Sequence, residues 1–239
     1  MPYKYPKLAS YEFLAAGNVL YGHPGSPNFP VRLAQEIFLR AEAHFSKKAS
    51  WTLYDPCCGT GYLLTCLALL NPGKIQQLYG SDVNVEFLSV AEKNMSLLTS
   101  TGLDKRKVEL QRLWEQFGKA SHSLALKHLS EIQHMRGLAS QSLQTRVFKR
   151  DILQKLAREK VPNFQAELVI ADIPYGNLVE WSNQKSLGLM MEYLLPHLHK
   201  EGILALIYPK DQHPKHPAFK RVEKFKIGKR VIELFAVKE

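Results

Sequence analysis

A chain of 239 residues that is 45% hydrophobic can bury a sizeable core without staples, and its three cysteines, Cys57, Cys58 and Cys66, offer neither a plausible disulfide nor a spaced metal pair. The longest apolar stretch, residues 62–70, is far too short to span a bilayer, and residues 1–17 hold no signal-like segment, so no membrane partner and a cytoplasmic location are expected. A formal charge of +10 favours a polyanionic partner, most simply nucleic acid.

Residues 1–30, rich in Gly, Pro and aromatics, read as a structured loop. Residues 31–45 carry Val31, Ala34, Ile37, Phe38, Ala41 and Phe45 at helical spacing, with Arg32 at the start as a candidate binding residue or a packing one. Residues 51–54 read as a buried strand, 55–61 as a tight loop and 62–70 as an apolar helix. Gly59 and Gly61 let the backbone turn sharply and approach a ligand, beside the free N–H groups of the helix start. Such a unit grips a nucleotide-like cofactor at a strand's carboxyl end, although any α/β protein can carry a G-x-G turn. Leu64 stands where a dinucleotide fingerprint requires its third glycine. A second strand, 75–81, ends in Asp82, spaced from Gly61 as a ribose ligand would be; capping of the helix over 83–98 is the alternative.

Residues 101–144 show helix-like recurrence of Leu110, Leu113, Trp114, Phe117, Leu124, Leu129, Ile132 and Met135, broken near Gly118 and Ser121. They read as a basic helical insertion. Residues 101–160 hold thirteen basic residues against six acidic ones, an excess suited to tracking phosphates or, alternatively, a solvated helix face. His122, His128 and His134 match no metal motif and are read as surface or RNA-contact residues. A third strand over 145–149 is followed by Asp151, a candidate helix cap. A fourth, 167–171, runs into Asp172-Ile173-Pro174-Tyr175-Gly176, with Trp181 beyond it as a stacking, core or lid residue. A helix over 187–198, a strand over 202–208 and a Lys/His-rich loop containing Lys210 precede a closing antiparallel pair, 224–227 and 230–237.

Two of these stretches resemble known motifs. Asp55-Pro56-Cys57-Cys58-Gly59-Thr60-Gly61 resembles the first motif of S-adenosylmethionine-dependent methyltransferases, which implies that Asp55, Cys57, Gly59, Gly61, Asp82 and Asp151 hold S-adenosylmethionine. Asp172 to Tyr175 resembles the (Asn/Asp)-Pro-Pro-Tyr motif of enzymes that methylate base nitrogens, with Ile173 in place of a proline. A nitrogen nucleophile must present its lone pair, so Asp172 would accept its proton or N–H, the Ile173 or Pro174 carbonyl would assist, and Tyr175 would stack on the extruded base. Asp172, Pro174 and Tyr175 are therefore the catalytic candidates; Arg32, Tyr175, Trp181 and Lys210 are the substrate-binding ones, with no metal required.

Across nearly the whole chain, further segments strengthen the likeness: Phe29-Pro30-Val31-Arg32-Leu33-Ala34, Gly61-Tyr62-Leu63-Leu64-Thr65, Ser81-Asp82-Val83, Phe117-Gly118-Lys119 and Lys226-Ile227-Gly228. Together they resemble the avilamycin-resistance ribosomal RNA methyltransferases. The resemblance implies a Rossmann-like class I methyltransferase sheet, mostly parallel with a C-terminal antiparallel hairpin, and one domain over 1–239 with the insertion within it. It also implies methylation of a guanine nitrogen in a stem-loop of 23S ribosomal RNA. Oligomeric state is left open, with a monomer as default. Competing readings are a nicotinamide-dependent oxidoreductase, a non-catalytic RNA-binding protein and a DNA adenine methyltransferase.

Overall fold

The computed structural model describes residues 3–5, 10–45, 50–137, 143–155, 161–173, 184–210 and 212–238. A seven-stranded sheet runs through it in the order β3-β2-β1-β4-β5-β7-β6, formed by β1 (Trp51–Asp55), β2 (Ile75–Asp82), β3 (Gln144–Lys149), β4 (Ala166–Asp172), β5 (Leu198–Pro209), β6 (Phe219–Ile227) and β7 (Arg230–Val237). The first five strands are parallel. β7 is antiparallel to β5 and to β6, so the closing hairpin and the mostly parallel sheet are as expected. β4 is buried along nearly its whole length, which explains its unbroken apolar sequence: helices cover both faces of a central parallel strand.

The helices are α1 (Glu12–Ala15), α2 (Val31–Glu42), α3 (Tyr62–Leu70), α4 (Val85–Ser96), α5 (Ser100–Phe117), α6 (Ala120–Gly137) and α7 (Gln184–Leu194). Every residue of α3 is buried, because the sheet lies on one side while α2, α4 and α6 pack around the rest. A helix apolar on all sides needs such surroundings. Leu67 lies at its centre with no exposure. Leu67→Ala is expected to lower unfolding free energy by about 2–5 kcal/mol, read by urea denaturation, because the cavity cannot collapse between sheet and helices.

Several boundaries differ from the sequence reading. α1 sits inside the predicted N-terminal loop, and α2 stops at Glu42 instead of Phe45. α4 begins at Val85 because the Asn84 side chain accepts the N–H groups of Glu86 and Phe87. The break in the basic hairpin falls at Gly118, not Ser121. The helix expected over 187–198 ends at Leu194. Pro196 follows in a 3-10 turn, Leu195–His197, and β5 starts at once. β6 begins at Phe219, five residues earlier than expected.

The basic hairpin also departs from expectation in its side chains. Trp114 and Phe117, whose helical spacing specifies no partner element, are 39% and 52% exposed near its tip. His128, expected at the surface, is buried with Nδ1 3.1 Å from Asn18 Oδ1. Three of the counted bases are structural. The Arg106 guanidinium donates to Val19 O and lies over the Tyr21 ring, Arg136 donates to Leu98 O, and buried Arg150 donates to the Tyr54 hydroxyl. Lys105, Lys107, Arg112, Lys119 and Lys127 remain exposed.

Candidate active site at the sheet switch point

Strand order reverses between β1 and β4, and open α/β sheets bind ligands outside the carboxyl ends of strands at such a point. Asp55 ends β1 and Asp172 ends β4. Leu53 pairs with Leu168, and the side chains of Leu53, Leu168 and Ile170 all enter the core on the α2–α3 side. Alternation along the strands puts Asp55 and Asp172 on that same face.

Asp55 is only 3% exposed, and its Oδ1 accepts the Cys57 N–H at 2.9 Å. Burial raises its carboxyl well above the usual carboxylate range. The Cys57 N–H draws it back, while the charges of Asp172 and Asp82 raise it further. Asp82 at the end of β2 clasps the glycine loop: Oδ2 accepts the Gly59 N–H and Oδ1 the Asn84 N–H, both at 2.9 Å. The alternative role as helix cap falls to Asn84, so Asp82 joins the loop to the strand end and keeps lone pairs for a ligand hydroxyl. Asp151 closes a turn by accepting the Leu153 N–H at 2.9 Å.

Burial, followed in turn by Asp55, Asp82, Asp172 and Asp151, raises the thiol of Cys57 well above its ordinary value. All four strand-end aspartates therefore bear on this thiol through charge. A thiol held protonated among them is no nucleophile. Buried Cys58 and Cys66 have thiols raised in the same direction by burial.

Gly59 and Gly61 have φ of +52° and +69°. A Cβ on Gly61 would stand 3.0 Å from the Cβ of Ala91 on α4, so helix packing requires this glycine as much as any ligand does. The loop is also held from behind by Asn94, which had no role in the sequence reading. Its Nδ2 donates to Thr60 O and Tyr21 O, and its Oδ1 accepts the Tyr21 N–H. An amide on the same helix face as Leu88, Ala91 and Met95 was the available sequence signal.

Asp172 has its Oδ1 buried with no hydrogen-bond partner among the described residues. Burial raises its carboxyl to about 6, against a smaller opposing pull from Arg230. Arg230, at the start of β7, is a charged neighbour of Asp172 that sequence reasoning missed. Of the other candidates, Arg32 places its guanidinium 3.8 Å from the Tyr3 ring centre at the start of α2. Lys210 is exposed just past the end of β5. Pro174, Tyr175 and Trp181 lie outside the described residues.

Clustered carboxylates against one arginine call for a cation, and S-adenosylmethionine carries two, an ammonium and a sulfonium, beside ribose hydroxyls suited to a carboxylate. The residues present fit it. Among the described residues no His/Cys/Asp/Glu cluster could hold a metal ion.

Known proteins resemble the chain over nearly its whole length. A family model described as rRNA methyltransferase AviRa matches residues 1–230. The 23S rRNA (guanine(2535)-N(1))-methyltransferase of Streptomyces viridochromogenes is 35% identical over 221 residues, which span 91% of this chain and 88% of that protein. The solved rRNA methyltransferase aviRa of the same organism has a TM-score of 0.88 at 32% identity, covering 98% of this chain and 96% of the other. The putative methyltransferase yhhF of Escherichia coli, with a TM-score of 0.55, 12% identity and 92% coverage of each chain, shares the fold alone. With the family's match spanning the glycine loop, the basic hairpin and the strand-end aspartates, the chain belongs to the AviRa family of rRNA methyltransferases.

Proposed function

We propose that this chain methylates N1 of a guanine in a stem-loop of large-subunit ribosomal RNA, in the cytoplasm. The single observation that carries the chemistry is the buried, unpartnered Oδ1 of Asp172 at the switch point. S-adenosylmethionine, held by Asp55, Asp82, Asp151 and the loop from Cys57 to Gly61, would supply an electrophilic methyl group. Guanine N1 carries a proton and has no free lone pair until that proton leaves. A carboxyl raised to about 6 is largely ionised at neutral pH yet basic enough to take a proton from N1, a match that general bases need. Tyr175 is the proposed stacking surface for the extruded base, and Trp181, Arg32 and Lys210 are proposed to bound it.

The exposed bases and aromatic tip of the α5–α6 hairpin support RNA over a small substrate, since phosphate contacts position a duplex while a flipped base is read in the pocket. Replacing Lys105, Lys107, Arg112 and Lys119 with alanine is expected to raise the KM for rRNA by about 10–100-fold and to flatten its salt dependence, with cofactor affinity unchanged. Filter-binding of rRNA over a salt series, beside calorimetry with S-adenosylmethionine, measures both. The function itself is tested by offering labelled S-adenosylmethionine with large-subunit rRNA, small-subunit rRNA and duplex DNA. Label confined to large-subunit rRNA is expected, and label in DNA alone would overturn the reading.

A further inference from the structure

We infer that Arg230 is a catalytic and specificity-determining residue whose guanidinium receives O6 of the target guanine, opposite the Asp172 carboxylate that receives its N1 proton. The inference rests on the guanine-N1 reading above and names the group that holds the other half of the reacting edge.

The register places the two side chains together. Asp172 pairs with Ile207, Ile207 with Ile232, and Arg230 stands two residues from Ile232 toward the strand ends where Asp172 lies. Ile207 and Ile232 both enter the core beneath α2 and α3, so strand alternation turns Asp172 and Arg230 to that face. Phe29, just ahead of α2, lies above: the Arg230 guanidinium carbon is 5.7 Å from its ring centre.

Arg230 acts on Asp172 through charge, yet among the described residues no hydrogen bond or ion pair joins them. The Nε of Arg230 and the Oδ1 of Asp172 are both buried without a partner among those residues. Two buried polar groups of opposite charge normally close on each other, since leaving each unmade is costly. Held apart on one face, they form a two-ended cradle: an acceptor at one end, donors at the other. The N1–H and O6 of guanine present the complementary order, donor beside acceptor. Adenine presents the reverse, an acceptor at N1 beside an amino donor, and arginine has no acceptor to offer that amine.

The same pairing fits the chemistry. The N1 proton passes to the Asp172 carboxylate, and the electron pair left behind is shared between N1 and O6. That pair forms the N1–carbon bond as the carbon–sulfur bond of the methyl donor breaks, its electrons remaining on sulfur, which becomes neutral. Charge on O6 is greatest as the proton leaves, which is when a preplaced guanidinium stabilises it most.

Wild type, R230M and R230K are to be compared for methyl transfer to a 23S rRNA transcript from neutral to alkaline pH, with S-adenosylmethionine affinity measured by calorimetry. R230M is expected to lose about 100-fold in kcat at neutral pH, with cofactor affinity within about threefold of wild type. Its deficit should shrink as rising pH begins to ionise guanine N1 without help. R230K, which keeps the charge but not the fork, should fall between the two. An R230M rate equal to wild type, a deficit that stays constant with pH, or a parallel loss of cofactor affinity would each overturn the inference. Failure of wild type to methylate any guanine would instead count against the functional reading beneath it.

Discussion

Asp172→Asn is expected to lower methyl transfer to rRNA by about 10³-fold while changing S-adenosylmethionine affinity by less than about threefold. Asparagine keeps the size and one acceptor oxygen of the side chain but cannot take a proton, so base orientation survives and deprotonation does not. Wild-type kcat/KM should rise with pH and level off above about 6, the value to which burial raises the Asp172 carboxyl. Burial and the Arg230 guanidinium set this value from either side, burial opposing ionisation and Arg230 favouring it. Stability should move the opposite way. A carboxyl raised above its unfolded value stabilises the fold most below about pH 4, and that contribution is lost as pH climbs through about 6. Asp172→Asn removes the cost of holding a buried charge, so the variant should be more stable than wild type at neutral pH by about 1–3 kcal/mol and should lose that advantage in acid. A variant less stable and less active together would point to a structural role for Asp172. Chemical denaturation at several pH values separates the two cases.

Gly59→Val should abolish measurable cofactor binding, a loss of about 100-fold or more in affinity, with the fold retained. At φ +52° a β-branched residue is strained, and the new Cβ would stand 3.1 Å from Ser26 Oγ. Relieving the strain requires the backbone to turn, and the Gly59 N–H would then leave the Asp82 carboxylate that orients the loop. Gly59→Asn provides the internal comparison, because asparagine tolerates the left-handed region far better. It should retain more affinity than the valine variant. Equal losses in the two would mean that bulk near Ser26, and not backbone geometry, controls the site. Calorimetric titration with S-adenosylmethionine decides, with circular dichroism reporting the fold.

The parallel sheet and its closing hairpin were legible because buried strands repeat β-branched and apolar residues between turn signals. Asp55, Asp82, Asp151 and Asp172 were legible as a set because each follows a strand, and parallel strands deliver their carboxyl ends to one edge. Arg230 was not. Its meaning depends on an antiparallel return that sets residue 230 against Pro209 of β5, the strand next to Asp172, a pairing no local spacing encodes. Asn94 was hidden for a related reason, since only the packing of α4 against the loop shows which carbonyls its amide meets. Arg106, Arg136 and Arg150 were counted as solvent-facing charge because sequence cannot distinguish a guanidinium that caps a backbone carbonyl from one left for phosphate. Trp114 and Phe117 recur at helical spacing, but periodicity marks a helix face without saying whether another element covers it.

The most direct test of guanine-N1 chemistry at this site is digestion of 23S rRNA after incubation with the protein and labelled S-adenosylmethionine, followed by identification of the labelled nucleoside. The expected product is N1-methylguanosine, formed by wild type and lost in Asp172→Asn. Label in a methyladenosine, or N1-methylguanosine formed equally well by the Asp172→Asn variant, would contradict it.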